Sequence, residues 1–137
     1  MDSRIIVVGA GPAGVTIAYL LATRGVPVAL IEKETQFDRV FRGEGLMPSG
    51  LEALSEMGLE DCLESIPTRQ LNAWDFYVDG QRRMRVVEPG SPQGHPPTRI
   101  IQQSALLQAI VERTKACDSF QFYPGWRVQD LIRQDDR

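Results

Sequence analysis

Six residues near the amino terminus constrain this chain more than any others: Gly9-Ala10-Gly11-Pro12-Ala13-Gly14, which fits the pattern G-x-G-x-x-G. Alone the pattern is weak, because glycine is common and short motifs recur by chance. Its setting makes it specific. Arg4 to Gly9 contains the β-branched run Ile5-Ile6-Val7-Val8, which reads as a strand buried on both faces. Ala13 to Arg24 then carries helical apolar spacing through Val15, Ile17, Ala18, Leu20 and Leu21. Gly25 supplies the left-handed position that stops a helix, and Pro27 prevents it restarting. Val28 to Ile31 reads as a second buried strand ending on the acidic Glu32. Strand, helix and strand within about 30 residues predict a parallel βαβ unit, with a right-handed crossover.

In that setting each glycine has a physical task. Gly9 permits the tight turn out of the strand, Gly11 lets the backbone approach a diphosphate, and Gly14 lets the helix lie against the sheet. Pro12 and Ala13 open the helix, whose free N–H groups and positive dipole end face the anion. Glu32 lies 18 positions beyond Gly14, at the carboxyl end of the second strand. A carboxylate there can accept hydrogen bonds from both ribose hydroxyls of an adenosine and would repel a 2′-phosphate. The expected fold is therefore α/β, a Rossmann-like nucleotide-binding βαβ unit with a parallel sheet. NAD and FAD share the ADP half that this geometry holds, so the fingerprint leaves the two open.

Past Lys33 a polar loop is expected as far as Gly45. Pro48 starts a helix over about Ser49 to Met57, with Leu51, Leu54 and Met57 on one face, and a shorter helix follows around Leu59 to Ser65. Asn72 to Val78 and Arg82 to Val87 read as strands joined by the turn signal Asp79-Gly80, an antiparallel hairpin inserted in the α/β pattern. Glu88 to Pro97 is rich in Gly and Pro and reads as an exposed loop. Ser104 to Lys115 is expected to be a helix, and Phe120 to Tyr123 and Arg127 to Arg133 further strands separated by Pro124-Gly125.

Composition excludes more than it identifies. The 137 residues are 42% hydrophobic and 24% charged, with a formal net charge of -3. These values suit one ordinary globular domain and give no basic face for nucleic acid or an anionic membrane. The apolar runs at Ile5 and at Val15 to Ala22 are too short to cross a bilayer. Cys62 and Cys117 match no metal or redox spacing and read as reduced thiols of a cytoplasmic protein. His95, the single histidine, lies in a Gly/Pro loop with no catalytic pattern around it and reads as exposed and inert. Trp74, Phe76 and Tyr77 suggest a strand with one face on a core. Arg82, Arg83 and Arg85 read as the solvated face of an edge hairpin, although they could also attract an acidic substrate. No metal site is expected.

The strings VVGAGPAG, ALIEK and FRGEGLMPSGLEALSEMGL resemble the N-terminal part of FAD-dependent monooxygenases related to p-hydroxybenzoate hydroxylase. Flavin-dependent halogenases and geranylgeranyl reductases are relatives of that group. The resemblance implies FAD as cofactor, held by Gly9, Gly11, Pro12, Ala13, Gly14, Glu32 and Lys33. It adds Arg42, Gly43 and Glu44 alongside the dinucleotide and Gln103, three residues before Leu106, as an amide reaching diphosphate or ribose oxygens. Many relatives have Asp where this chain has Glu44. NAD(P)H as transient reductant, O2 and a small-molecule substrate are implied for the complete enzyme, with residues 70–98 contributing to a substrate-side sheet. The Asp-Gly and Gly-Asp motifs that relatives carry further on are not found; Asp79-Gly80 is a hairpin turn upstream of that place. Residues 1–137 are accordingly expected to be a truncated, partial FAD-binding domain, inactive alone and without an assignable catalytic residue. The competing expectations are a non-catalytic module for ADP-containing ligands and an NAD-linked dehydrogenase, the latter disfavoured by the long insertion after Glu32.

Overall fold

The computed structural model describes residues 5–37, 44–88 and 97–132. They divide into two compact units, 1–38 with 110–137 and 39–109, described in turn. Three elements open the first unit: β1 (Ile5–Val8), α1 (Pro12–Ala22) and β2 (Val28–Glu32). Pro12 occupies the first turn of α1, where its missing N–H removes no helical hydrogen bond. Past the helix, Gly25 sits at φ +72° and the chain turns into β2.

β1 pairs with β2 in parallel, Ile5 opposite Val28 through Val8 opposite Ile31. On its other side β2 pairs in parallel with Phe120–Pro124, so the sheet runs first strand, β2, last strand. That order makes β2 central, and all five of its residues are buried. Val15, Ala18, Tyr19 and Ala22 of α1 are buried with it, as are Ile110, Val111, Thr114 and Phe120 of this unit. Ser119 Oγ donates to the Ala22 carbonyl at 2.8 Å, tying the approach to the last strand to the end of α1.

β1 departs from expectation. Its burial was read from a β-branched run, yet Ile6 is 54% and Val8 62% exposed. The run does form a strand, but among the described residues β1 is an edge with one neighbour. A hydrophobic run reports the preference of a residue for burial, while burial itself requires a partner element. The same reason removes the strand expected at Arg127 to Arg133. Residues 126–132 form no ladder, and Leu131 and Ile132 stand 85% and 89% exposed; Arg133 lies outside the described residues.

The second unit contains β3 (Glu44–Leu46), α2 (Pro48–Glu56), α3 (Glu60–Glu64), β4 (Thr68–Gln70), β5 (Ala73–Val78), β6 (Gln81–Val87) and β7 (Arg99–Ile101). The helix α4 (Gln103–Thr114) follows, and the division between the units falls within it; the last strand, Phe120–Pro124, is β8. β7 lies between β3 and β4, antiparallel to both. These three short strands were not anticipated, since three residues are too few for a period-2 pattern to show. The buried side chains of this unit include Leu51, Leu54, Leu59, Cys62, Leu63, Ile101, Leu106 and Leu107. Cys117 belongs to the first unit and is half-buried; neither cysteine forms a disulfide.

The hairpin β5–β6 forms as expected, with Asp79 and Gly80 at φ 51° and 73°, as a tight primed turn requires. Its residues are not packed on a core. Trp74, Phe76, Met84 and Val86, which pair across the two strands, are all exposed, which corrects the expectation of a one-sided core strand. The reason is again the lack of a partner: among the described residues β5 and β6 form a two-stranded sheet of their own. Asp75 takes ion pairs from Arg82 at 3.6 Å and Arg85 at 3.3 Å on the opposite face. These exposed pairs stabilise the hairpin little, in agreement with a solvated face.

One cluster anchors the hairpin base. Glu88 accepts hydrogen bonds from the Trp74 indole at 2.8 Å, the Thr98 N–H at 3.2 Å and the Thr98 hydroxyl. The Thr98 hydroxyl and then the Trp74 indole hold the Glu88 carboxyl below its ordinary value of 4.5, with partial burial opposing them. A depressed carboxyl stabilises the fold above the unfolded value and ceases to do so as pH falls through the folded one. In a Trp126→Phe background, acid titration followed by Trp74 fluorescence should therefore show a transition below pH 4.5. Glu88→Gln should abolish it; a transition that survives in that variant would remove Glu88 from this role.

Candidate functional site

The turn between β1 and α1 is where the first unit departs most from ordinary packing. Gly9 has φ +97°, a left-handed conformation that side-chain-bearing residues rarely adopt. Its N–H donates to the Ile31 carbonyl at 2.7 Å, which continues the β1–β2 ladder to the brink of the turn. A Cβ built on Gly14 would stand 1.9 Å from the Gly9 carbonyl oxygen. Gly14 is thus required by the contact between α1 and the turn, as the sequence predicted.

Gly11 differs from both. Its backbone is extended at φ -77°, and a Cβ there would meet nothing within 4 Å. Neither conformation nor packing within the described residues demands glycine at this position. A bare backbone facing open space is what close approach of an external group requires. Gly11 is also the N-cap of α1 and offers no side chain to the helix, so the first-turn N–H groups of Ala13 and Gly14 have no side-chain cap. Pro12 and Ala13 are exposed. The donor set suits an anion.

Glu32 reaches the same turn from β2. Its Oε2 accepts the Ala10 N–H at 2.7 Å and its Oε1 the Glu34 N–H at 3.0 Å, and the residue is 5% exposed. The backbone at Glu32 is held as well: its carbonyl accepts the Trp126 N–H at 2.9 Å, and the Glu34 carbonyl accepts the Gly125 N–H at 3.1 Å. Ala10 was absent from the expected site, although its N–H anchors the acid. The signal was present as the variable position between Gly9 and Gly11, where only the backbone matters and no side chain advertises the role.

The other expected residues fall in three groups. Lys33 is exposed and pairs with Glu34 at 3.5 Å on the surface. Arg42 and Gly43, like His95, lie outside the described residues. Glu44 and Gln103 belong to the second unit, where the Gln103 amide donates to the Glu44 carboxylate. Helix α4 begins at Gln103, one residue earlier than its apolar spacing suggested.

A parallel βαβ unit with a bare glycine turn, an uncapped helix start and an acid hydrogen-bonded to that turn defines a dinucleotide-binding class of protein. Comparison with known proteins makes this narrower. Residues 2–137 match the family described as FAD binding domain, and the chain belongs to that family. FAD is therefore the cofactor, which decides between the two dinucleotides that the fingerprint left open.

Among curated proteins the chain is 31% identical over 132 residues to squalene epoxidase 4 of Arabidopsis thaliana, covering 96% of this chain and 25% of that protein. It is 30% identical over 133 residues to 6-methylpretetramide 4-monooxygenase of Streptomyces rimosus, covering 95% and 31% respectively. Among solved structures, p-nitrophenol 4-monooxygenase PnpA from Pseudomonas putida DLL-E4 superposes with a TM-score of 0.84 at 23% identity, over 98% of this chain and 34% of that one. The 2-methyl-3-hydroxypyridine-5-carboxylic acid oxygenase gives 0.70 at 26% identity, over 91% and 32%. The chain thus spans about a quarter of the length of the first curated relatives and about a third of these structures. No helix among the described residues is long and apolar enough to cross a membrane.

Proposed function

We propose that this chain is the ADP-holding portion of an FAD-dependent monooxygenase, an oxidoreductase whose complete form uses NAD(P)H and O2 on a small-molecule substrate. The observation that carries this reading is the Glu32 carboxylate fixed against the Gly9–Gly14 turn by the Ala10 N–H at 2.7 Å. The residues fit the cofactor. The N–H groups at the start of α1 would receive the diphosphate, and Gly11 would keep its path clear. Glu32, held on both oxygens by backbone donors, would present its carboxylate to the adenosine ribose and oppose a 2′-phosphate there. Arg42, Gly43, Glu44 and Gln103 are proposed as further contacts to FAD, and Lys33 as a cation near its adenosine end.

The bound flavin supplies the oxygen and electron chemistry of such enzymes, while the protein positions it and excludes competing reactions. What this chain's residues contribute is binding and orientation. No catalytic role is assigned to any of them, and the chain alone is proposed to be inactive. Residues 70–98 are proposed to belong to the substrate-side sheet, a reading supported by the exposed apolar face of Trp74, Phe76, Met84 and Val86. The similarity to proteins named squalene epoxidase and 6-methylpretetramide 4-monooxygenase supports the monooxygenase assignment. A cytoplasmic location is proposed because Cys62 and Cys117 are not joined in a disulfide.

Titration of the purified chain with FAD tests the reading. Flavin binding displaced by ADP but only weakly by 2′-phospho-ADP is the expected result. A chain that binds neither FAD nor ADP would overturn it, and NAD(P)H oxidation by the chain with FAD would overturn the proposed inactivity.

A further inference from the structure

The second unit holds a cavity of about 360 Å³ where the β3–β7–β4 sheet gives way to the β5–β6 hairpin. Strand register explains its walls. Arg69 of β4 lies opposite Ile100 of β7, so the two side chains share one sheet face. Ala73 lies opposite Val87 and Asp75 opposite Arg85, which places Ala73 and Arg85 diagonally on one face of the hairpin. Both rows line the cavity, and Gln70, Leu71 and Asn72 connect them. That connecting segment is held by backbone bonds. The Leu71 N–H donates to the Thr98 carbonyl at 2.9 Å, and the Asn72 carbonyl accepts the Glu88 N–H at 2.9 Å.

Two guanidinium groups line this cavity and, among the described residues, no acid does. Among the described residues no ion pair or hydrogen bond engages the Arg69 side chain. Arg85 gives Nη1 to Asp75 Oδ2 at 3.3 Å, which leaves most of its five N–H donors for another acceptor. A guanidinium fork matches a planar carboxylate with two parallel hydrogen bonds. Leu71, Ala73 and Ile100 make the rest of the wall apolar, which suits a short hydrocarbon body and not a free phosphate ion. The volume is near the lower end of the about 300–1,000 Å³ range of small-molecule sites. We propose that the groove between Arg69 and Arg85 binds a small carboxylate of single-ring size. The two arginines take the carboxylate, and the three apolar residues contact the ring. The cluster Arg82, Arg83 and Arg85 is thereby divided: Arg85 lines the cavity, Arg82 pairs with Asp75 at 3.6 Å, and Arg83 lines no part of it. Both arginines of the site are exposed, so affinity is expected in the millimolar range. The inference goes beyond the flavin reading and does not rest on it.

Benzoate is the probe that tests it, titrated into the full chain and followed by amide NMR shifts. It should move the Leu71 and Ile100 signals, whereas benzamide, of the same shape without the charge, should leave them in place. Arg69→Ala is expected to weaken benzoate binding about 10-fold, and Arg69→Lys at least about 3-fold, since lysine keeps the charge and loses the fork. Arg83→Ala removes a charge from the same hairpin outside the cavity and should change the affinity by less than about 2-fold. Inorganic phosphate, with no apolar body to bury, should bind at least about 10-fold more weakly than benzoate. Thermal unfolding without ligand controls for folding, and Arg69→Lys carries the test where the alanine variant fails to fold. Unmoved Leu71 and Ile100 signals, an equal response to benzamide, or Arg83→Ala as damaging as Arg69→Ala would each overturn the site. Phosphate binding as tight as benzoate would overturn its assignment to a carboxylate. No probe here is a nucleotide, so failure of this site and failure of the FAD reading are told apart.

Discussion

Replacing Gly14 by alanine is expected to destabilise the first unit by about 3 kcal/mol and to weaken ADP binding at least about 10-fold. The added Cβ would lie 1.9 Å from the Gly9 carbonyl oxygen and 3.1 Å from its carbon. Both obstacles are backbone, in a residue already committed to φ +97° and hydrogen-bonded to Ile31, so neither can yield as a side chain does. The helix must lift from the strand, and the N–H groups of the turn move with it. Gly11→Ala provides the contrast. Nothing lies within 4 Å of that Cβ and the backbone conformation is ordinary, so thermal unfolding should stay near wild type while ligand affinity falls. Unfolding curves and ADP titrations of the two variants separate packing from binding. Equal behaviour of the two would refute the distinct roles assigned to these glycines.

Glu32→Ala should weaken ADP and FAD binding by about 10- to 100-fold, the scale of a lost charge-assisted hydrogen bond. It should also cost stability, because the N–H of Ala10, a residue only 1% exposed, loses its acceptor. A buried donor left unpaired costs about 1–3 kcal/mol. Glu32→Gln keeps an oxygen for that N–H and removes the charge, so it should recover much of the stability. It should also narrow the preference for ADP over 2′-phospho-ADP, since repulsion of the phosphate depends on the charge. Unchanged affinity in Glu32→Ala would show that the ribose assignment is wrong, whatever the effect on folding.

How far the chain could be read without its structure differs from residue to residue. Gly9, Gly14 and Glu32 were legible because their tasks are local: a turn, a close helix contact, an acid at a strand end. Asp79-Gly80 and Pro48 were legible for the same reason. Glu44 and Gln103 were named singly, 59 positions apart, and nothing in their spacing said that they touch. β3, β4 and β7 were invisible, since each is three residues long and exists through its partner. Arg127 to Arg133 failed in the opposite direction, as strand-forming residues without a ladder to join.

By itself the sequence determined the βαβ unit, the glycine turn and the acid that closes it, because periodicity, backbone freedom and charge are properties of residues and their near neighbours. Only the tertiary structure decided that β2 and not β1 is the buried strand, that the Ala10 N–H anchors Glu32, and that Glu44 holds Gln103. Each of these depends on which distant segment lies alongside, and hydrogen bonds and burial are settled between elements, not within them.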